Sequence, residues 1–285
     1  MHDLICQRRA FLQNIGLGFI SFNSIRLISN PPLQGVRHIG KDFHYRYPAI
    51  KDEYSYGVVS AAHSDLDKVK ELVGKRPELA NAAWDWGFGD YETAIGAASH
   101  MGRRDIAEYL MSQGARPDIF TFAMMGMLNT LKEIIETVPG IQQRRGPHGI
   151  TLLKHAKNRL SVKDLAEKDK KSIQKVIKYL EKLGDADMGA TSLPLADIDK
   201  TPLLGDYRFG NGETEILEVV ASKMNANLIR MVRKGSIGST LHKVGEHTFS
   251  PTGASSVKIV FEVQNGVANA LSIIDFDGTI KANRV

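Results

Sequence analysis

DYETAIGAASHMGRRDIAEYLMSQGARPD, residues 90 to 118, reads as one complete structural unit, a turn followed by two antiparallel helices. Thr93 stands where an N-cap is needed, and Ala94, Ala97 and Ala98 are small enough to let a neighbouring helix approach closely. Gly102 permits the tight turn between the helices. Ile106, Tyr109 and Leu110 recur at helical spacing, while Arg103, Arg104, Asp105 and Glu108 fall off that stripe. Gly114 ends the second helix in the left-handed cap that glycine tolerates best. A helix pair of this size leaves its apolar flank uncovered, so it requires neighbours of the same kind.

Self-comparison supplies them. Residues 58–81 repeat the small pair (Ala61, Ala62) and the apolar stripe (Val69, Leu72, Val73). Residues 118–140 give Leu131, Ile134 and Ile135 the same places, with bulkier Phe122, Met124 and Met125 before them. A fourth unit opens at 149–156 and closes with VIKYLEKLG at 176–184. About fifteen extra residues interrupt it, at 158–172, and read as an extended helix capped by Ser161 or a loop leading to one. Beyond Gly184 the period changes. A turn-rich connector over 185–205 precedes short runs of β-formers at 215–221, 228–233, 240–244, 257–263 and 268–274, with Asn265-Gly266 marking a hairpin turn.

The unit at 90–118 resembles an ankyrin repeat, with the TPLH tetrapeptide represented by Thr93-Ala94-Ile95-Gly96. That resemblance implies an α+β protein: an ankyrin-repeat α-solenoid of about four units over residues 55–184, followed by a small antiparallel β-sheet or partial-barrel domain over 206–285. The latter, in GDYRFG at 205–210, LHKVGEHTFSPTG at 241–253 and the ending IKANRV, resembles the accessory domain of β-lactamase-related serine hydrolases and of some bacterial export proteins. Gln7-Arg8-Arg9-Ala10-Phe11-Leu12 resembles a twin-arginine export motif, which implies a signal segment over 1–29, an extended linker over 30–54, and a periplasmic or secreted protein; the alternative is a cytoplasmic protein with a frayed amino-terminal tail. As a whole the chain resembles a group of uncharacterised exported bacterial ankyrin-repeat proteins, a likeness that carries fold and export but no reaction.

The 285 residues allow about two domains, and 42% apolar with 24% charged content is ordinary for a globular protein. No run of about 20 apolar residues suggests a membrane span. The formal net charge of +5 gives little reason to expect an anionic partner, although residues 140–182 hold 12 Lys or Arg against 4 Asp or Glu. That imbalance reads as a solvated helical face, and export argues against nucleic acid.

Signals for chemistry are sparse. Ser172-Ile173-Gln174-Lys175 matches a hydrolase string but lies at a helix start without partner motifs. The nine histidines include His63, His100, His148 and His155, yet none shows the short paired spacing of a zinc site. No catalytic residue, metal or cofactor is therefore expected. The best surface is the turn Ala83-Trp84-Asp85-Trp86-Gly87-Phe88-Gly89-Asp90, whose aromatics Trp84, Trp86 and Phe88 offer large contact area at low entropic cost. Asp118 and Phe120, then Arg144, Arg145 and His148, occupy the corresponding later turns, and His63, Ser99, His100 and Lys154 belong to first helices lining the same concave face. These residues suggest a non-enzymatic scaffold that binds a protein partner. The alternative is an enzyme or enzyme accessory taking a small anionic or carbohydrate ligand in the groove.

Overall fold

Short helices form where an apolar stripe and a cap coincide. The computed structural model describes residues 50–163, 165–188, 192–222, 228–234 and 238–285. In order come α1 (Asp52–Ala61), α2 (Leu66–Lys75), the strand pair β1 (Ala83–Asp85) and β2 (Tyr91–Thr93), α3 (Ala94–His100), α4 (Arg104–Ser112), α5 (Ile119–Met124), α6 (Leu128–Thr137), α7 (Leu152–Leu160) and α8 (Glu167–Leu183). Thr93 caps α3 by accepting from the Gly96 amide at 3.0 Å, and Asp118 caps α5 through the Thr121 amide at 2.9 Å. Val69 and Val73 of α2, Ile106 and Leu110 of α4, Leu131 and Ile135 of α6, and Val176 and Leu180 of α8 are buried, one stripe on each second helix.

Eight strands follow the short helix α9 (Asp197–Lys200): β3 (Gly205–Arg208), β4 (Ile216–Ala221), β5 (Ile229–Arg233), β6 (Ser239–Gly245), β7 (Thr248–Pro251), β8 (Lys258–Gln264), β9 (Val267–Asp275) and β10 (Gly278–Arg284). Each pairs antiparallel with the next, and β10 pairs with both β9 and β3, so the sheet closes into a barrel. Asn265 and Gly266, at φ 53° and 77°, form the turn joining β8 to β9. Alternate residues point inward, and Tyr207, Phe249 and Phe261 fill the interior with edge-on rings 5.5 and 5.8 Å apart. Eight strands enclose a space that side chains alone can fill.

The expected architecture is corrected on two counts. The described residues are short helices plus a closed eight-stranded barrel, not an ankyrin-repeat solenoid with a partial sheet. A repeat array needs one continuous apolar core, whereas here the helices form two clusters, one running from Val58 to Met124 and the other from Ile119 to Ala186. Polar residues lie where α3 faces α5 and α7: Ser99 Oγ donates to Thr121 Oγ1 at 3.0 Å, and His100 stands edge-on to buried His155. The turns also differ, because β1–β2 is the lone strand pair of the helical part among the described residues. Asp118 to Phe120 is a helix cap and first turn, and Pro147–Gly149 is a turn of 3₁₀ helix. Ser161 terminates α7 rather than opening a helix. The leader and linker expected at 1–49 lie outside the described residues, and no observation carries signal or export function.

Helical and barrel parts touch at two places that matter for the site. Phe88, at the tip of the β1–β2 hairpin, packs on the barrel core. Gly149, beside His148, lies so close to Thr252 that a Cβ there would collide with its methyl group.

Gly102, at φ 70°, lies 3.0 Å from the Arg159 Cα when a Cβ is placed on it, whereas Gly114, at φ 92°, faces open space. Gly102→Ala should therefore destabilise the protein by about 2 kcal/mol or more, against about 1 kcal/mol for Gly114→Ala. Urea unfolding of the two variants checks this, and equal losses would contradict the close approach of α7 to the α3–α4 turn.

Candidate metal centre and adjoining cavity

Four segments deliver four side chains to one point. His63 follows α1, and its Nδ1 donates to the carbonyls of Val59 at 3.0 Å and Ser60 at 3.2 Å. Glu92 is the inward residue of β2 and is fully buried. His100 is the last residue of α3, with a side chain 8% exposed. His148 sits in the 147–149 turn at φ 57°. Asp90 fixes it there, accepting from its backbone N–H at 2.9 Å and from its Nδ1 at 2.8 Å. One ligand-capable atom from each of His63, Glu92, His100 and His148 lies within 4.8 Å of all the others.

The tautomers follow from the partners. A carbonyl or carboxylate only accepts, so the Nδ1 atoms of His63 and His148 carry hydrogen, which leaves neutral His63 with a bare Nε2; both Nε2 atoms face the Glu92 carboxylate. His63 Nε2 stands 3.3 Å from Oε2, His148 Nε2 3.5 Å from Oε2, and His100 Nε2 2.9 Å from Oε1. His100 Nε2 and Glu92 Oε1 are both buried, and neither has a hydrogen-bond partner beyond this close contact. Trp86 Nε1 donates to Oε2 at 2.8 Å, and its indole stands 5.9 Å from the His63 ring and 6.0 Å from that of His148.

The charges are strongly biased. Burial alone would raise the Glu92 pKa, but His100 and His148 outweigh it and hold the carboxyl at about 2. Burial alone would lower that of His148, but Asp90 and Glu92 outweigh it and raise it to about 9. His63 is pushed the other way, its burial lowering the pKa despite Glu92.

Beside the cluster is a cavity of about 1010 Å³ between the β1–β2 hairpin and the barrel mouth. Tyr56, Trp84, Trp86 and Phe88 form one wall. Phe209, Leu217, Met231 and Ile273 contribute from the barrel, with Asp85, Asp275, Asp277 and Arg233 among the polar lining. Trp86 belongs to both sites, lining the cavity with one surface and holding Glu92 through its N–H.

Of the residues selected from sequence, the structure brings His63, His100, His148 and Trp86 into the cluster and Trp84, Asp85, Trp86 and Phe88 into the cavity wall. Ser99 and Asp118 serve the helices, and Phe120 stacks on His155 at 4.8 Å. Arg144, Arg145 and Lys154 are exposed and take no part. Glu92 and Tyr56 escaped the sequence reading, whereas Asp90 closes the turn it singled out. The available signal for Glu92 was period-two alternation, which puts it inward between outward Tyr91 and Thr93. No helix among the described residues is long and apolar enough to cross a membrane. Comparisons with protein-family models, with curated proteins and with solved structures find no match.

His155 borders the cluster without joining it. Its Nδ1 donates to the Thr151 carbonyl at 2.8 Å, and burial lowers its pKa to about 4. The folded state thus refuses a proton that the unfolded chain accepts near pH 6.5, so this stability is present above pH 6.5 and lost as pH falls towards 4. Urea unfolding at pH 7 and pH 4.5 should show a drop larger in the native chain than in His155→Leu by on the order of 2 kcal/mol. Equal drops would contradict a neutral buried His155.

Proposed function

We propose that this protein is a transition-metal-binding protein whose helical part holds one divalent ion, zinc being the best match, through Nε2 of His63, His100 and His148 and the carboxylate of Glu92. The observation that carries this reading is the meeting of three imidazole nitrogens on one buried carboxylate. At His63 the only ring hydrogen is committed to backbone carbonyls, so a nitrogen lone pair faces a carboxylate oxygen at 3.3 Å. Two electron pairs at that distance repel unless a cation lies between them. Imidazole and carboxylate ligands suit zinc, whose bond lengths of about 2.0–2.1 Å in a tetrahedron set neighbouring donors about 3.3–3.4 Å apart. The separations from Glu92, 2.9 to 3.5 Å, bracket that value.

The supporting shell suits the same ion. Backbone carbonyls orient His63 and Asp90 orients His148, as the outer partners of metal-bound histidines do. Trp86 occupies one Glu92 oxygen. Four protein ligands make a closed centre, the arrangement of structural rather than catalytic sites. The centre ties the end of α1, strand β2, the end of α3 and the 147–149 turn together, and the ion would stabilise the folded state by mass action.

Zinc titration of chelator-treated protein by calorimetry should give one site per chain, and His63→Ala and His148→Ala should each weaken it about 100-fold or more. Both positions are partly exposed, so the apo variants should remain folded by circular dichroism. Absence of binding at micromolar zinc, or native affinity in His63→Ala, would refute the assignment.

A further inference from the structure

We infer that the cavity between the hairpin and the barrel mouth is a second, separate binding site, and that it takes an organic cation of the quaternary-ammonium class with an apolar body. Three of the four rings on its helical wall stand against one another. Tyr56 stands edge-on to Trp84 at 5.5 Å and 69°, and to Trp86 at 5.8 Å and 68°. Rings set nearly at right angles present faces in different directions to one small volume, the arrangement by which aromatic cages hold methylated ammonium groups.

Charge selects among ligands for such a wall. Asp85, Asp275 and Asp277 line the cavity against the single guanidinium of Arg233. That guanidinium is committed, lying 5.4 Å over the Phe209 ring with Nε donating to the Thr214 carbonyl at 3.1 Å. Three carboxylates against one engaged cation leave two net negative charges on the lining. Both features repel anions, since aromatic faces and carboxylates each present negative potential. The size is right for a ligand larger than a bare ammonium ion, because pockets for small organic molecules span about 300–1,000 Å³. The apolar floor of Phe209, Leu217, Met231 and Ile273 suits its hydrocarbon portion. Phe276 lies between Asp275 and Asp277 on the turn joining β9 to β10 and is 95% exposed. It sets further aromatic surface beside the two carboxylates.

The chain has just two tryptophans, Trp84 and Trp86, and both line this cavity, so intrinsic fluorescence reports the site directly. The experiment titrates benzyltrimethylammonium, its uncharged carbon isostere and benzenesulfonate into the full chain, with and without zinc. The cation should shift the emission and bind at least about tenfold tighter than the isostere, with the sulfonate weakest. Asp275→Asn with Asp277→Asn, at the end of β9 and on the turn after it, should reduce cation affinity about fivefold and leave the isostere unchanged. Equal binding of cation and isostere, preference for the sulfonate, or no saturable response to any compound would overturn the inference. The cation should bind with or without zinc, and cation binding by protein that takes up no zinc would leave this site standing while the metal reading fell.

Discussion

Everything in the helical part is arranged around one costly act, the complete burial of the Glu92 carboxylate. An isolated carboxylate in a protein interior is penalised by several kcal/mol, and the penalty is lifted only by partners of opposite charge or by hydrogen-bond donors. Here the partners come from both near and far in sequence: Trp86, just past β1, and His100, at the end of the helix that follows β2, lie within eight residues of Glu92, while His63 and His148 arrive from distant segments. Protein donors satisfy the charge incompletely. The Trp86 N–H takes one oxygen, the other meets only His100 Nε2, and a lone pair of His63 faces the group. A divalent cation bound there would resolve these misfits together.

The fold makes this convergence reproducible by fixing the backbone on which each ligand rests. Thr93 starts α3 immediately after Glu92, so the cap that begins the helix also sets its offset from the carboxylate, and His100 arrives at the helix end. Asp90 lies on the same short segment and holds the left-handed turn of His148, whose neighbour Gly149 abuts Thr252 of the barrel. The barrel thereby supports the ligand-bearing turn from behind, while Phe88 anchors the hairpin to the barrel core. The hairpin is shared by two environments, with polar Glu92 facing the histidines and the indoles facing the cavity.

Local structure was legible in the sequence to the extent that it rests on short-range pattern. The stripes of α2, α4 and α6, the Thr93 cap, the Gly102 turn and the Asn265-Gly266 hairpin each depend on a few adjacent residues, and each stands where those residues put it. Closure of the barrel was not legible. β3 and β7 are four residues long, and β10 buries only Ala282, so no alternating apolar run marks the strand that joins β9 to β3. The solenoid expectation failed for a related reason, since helix stripes say that helices pair but not that polar residues divide their core. Histidine positions on the inner helices were visible, yet the metal-ligand pattern was not. No two of His63, Glu92, His100 and His148 share a turn of helix, so their meeting is a product of tertiary structure and leaves no spacing to read.

X-ray absorption at the zinc edge of the loaded protein tests the central claim most directly, because it reports the atoms around the ion irrespective of how tightly the ion is held. The account predicts four nitrogen or oxygen neighbours at about 2.0–2.1 Å with outer-shell scattering from three imidazole rings. A six-oxygen shell, or a spectrum with fewer than three imidazoles, would contradict it.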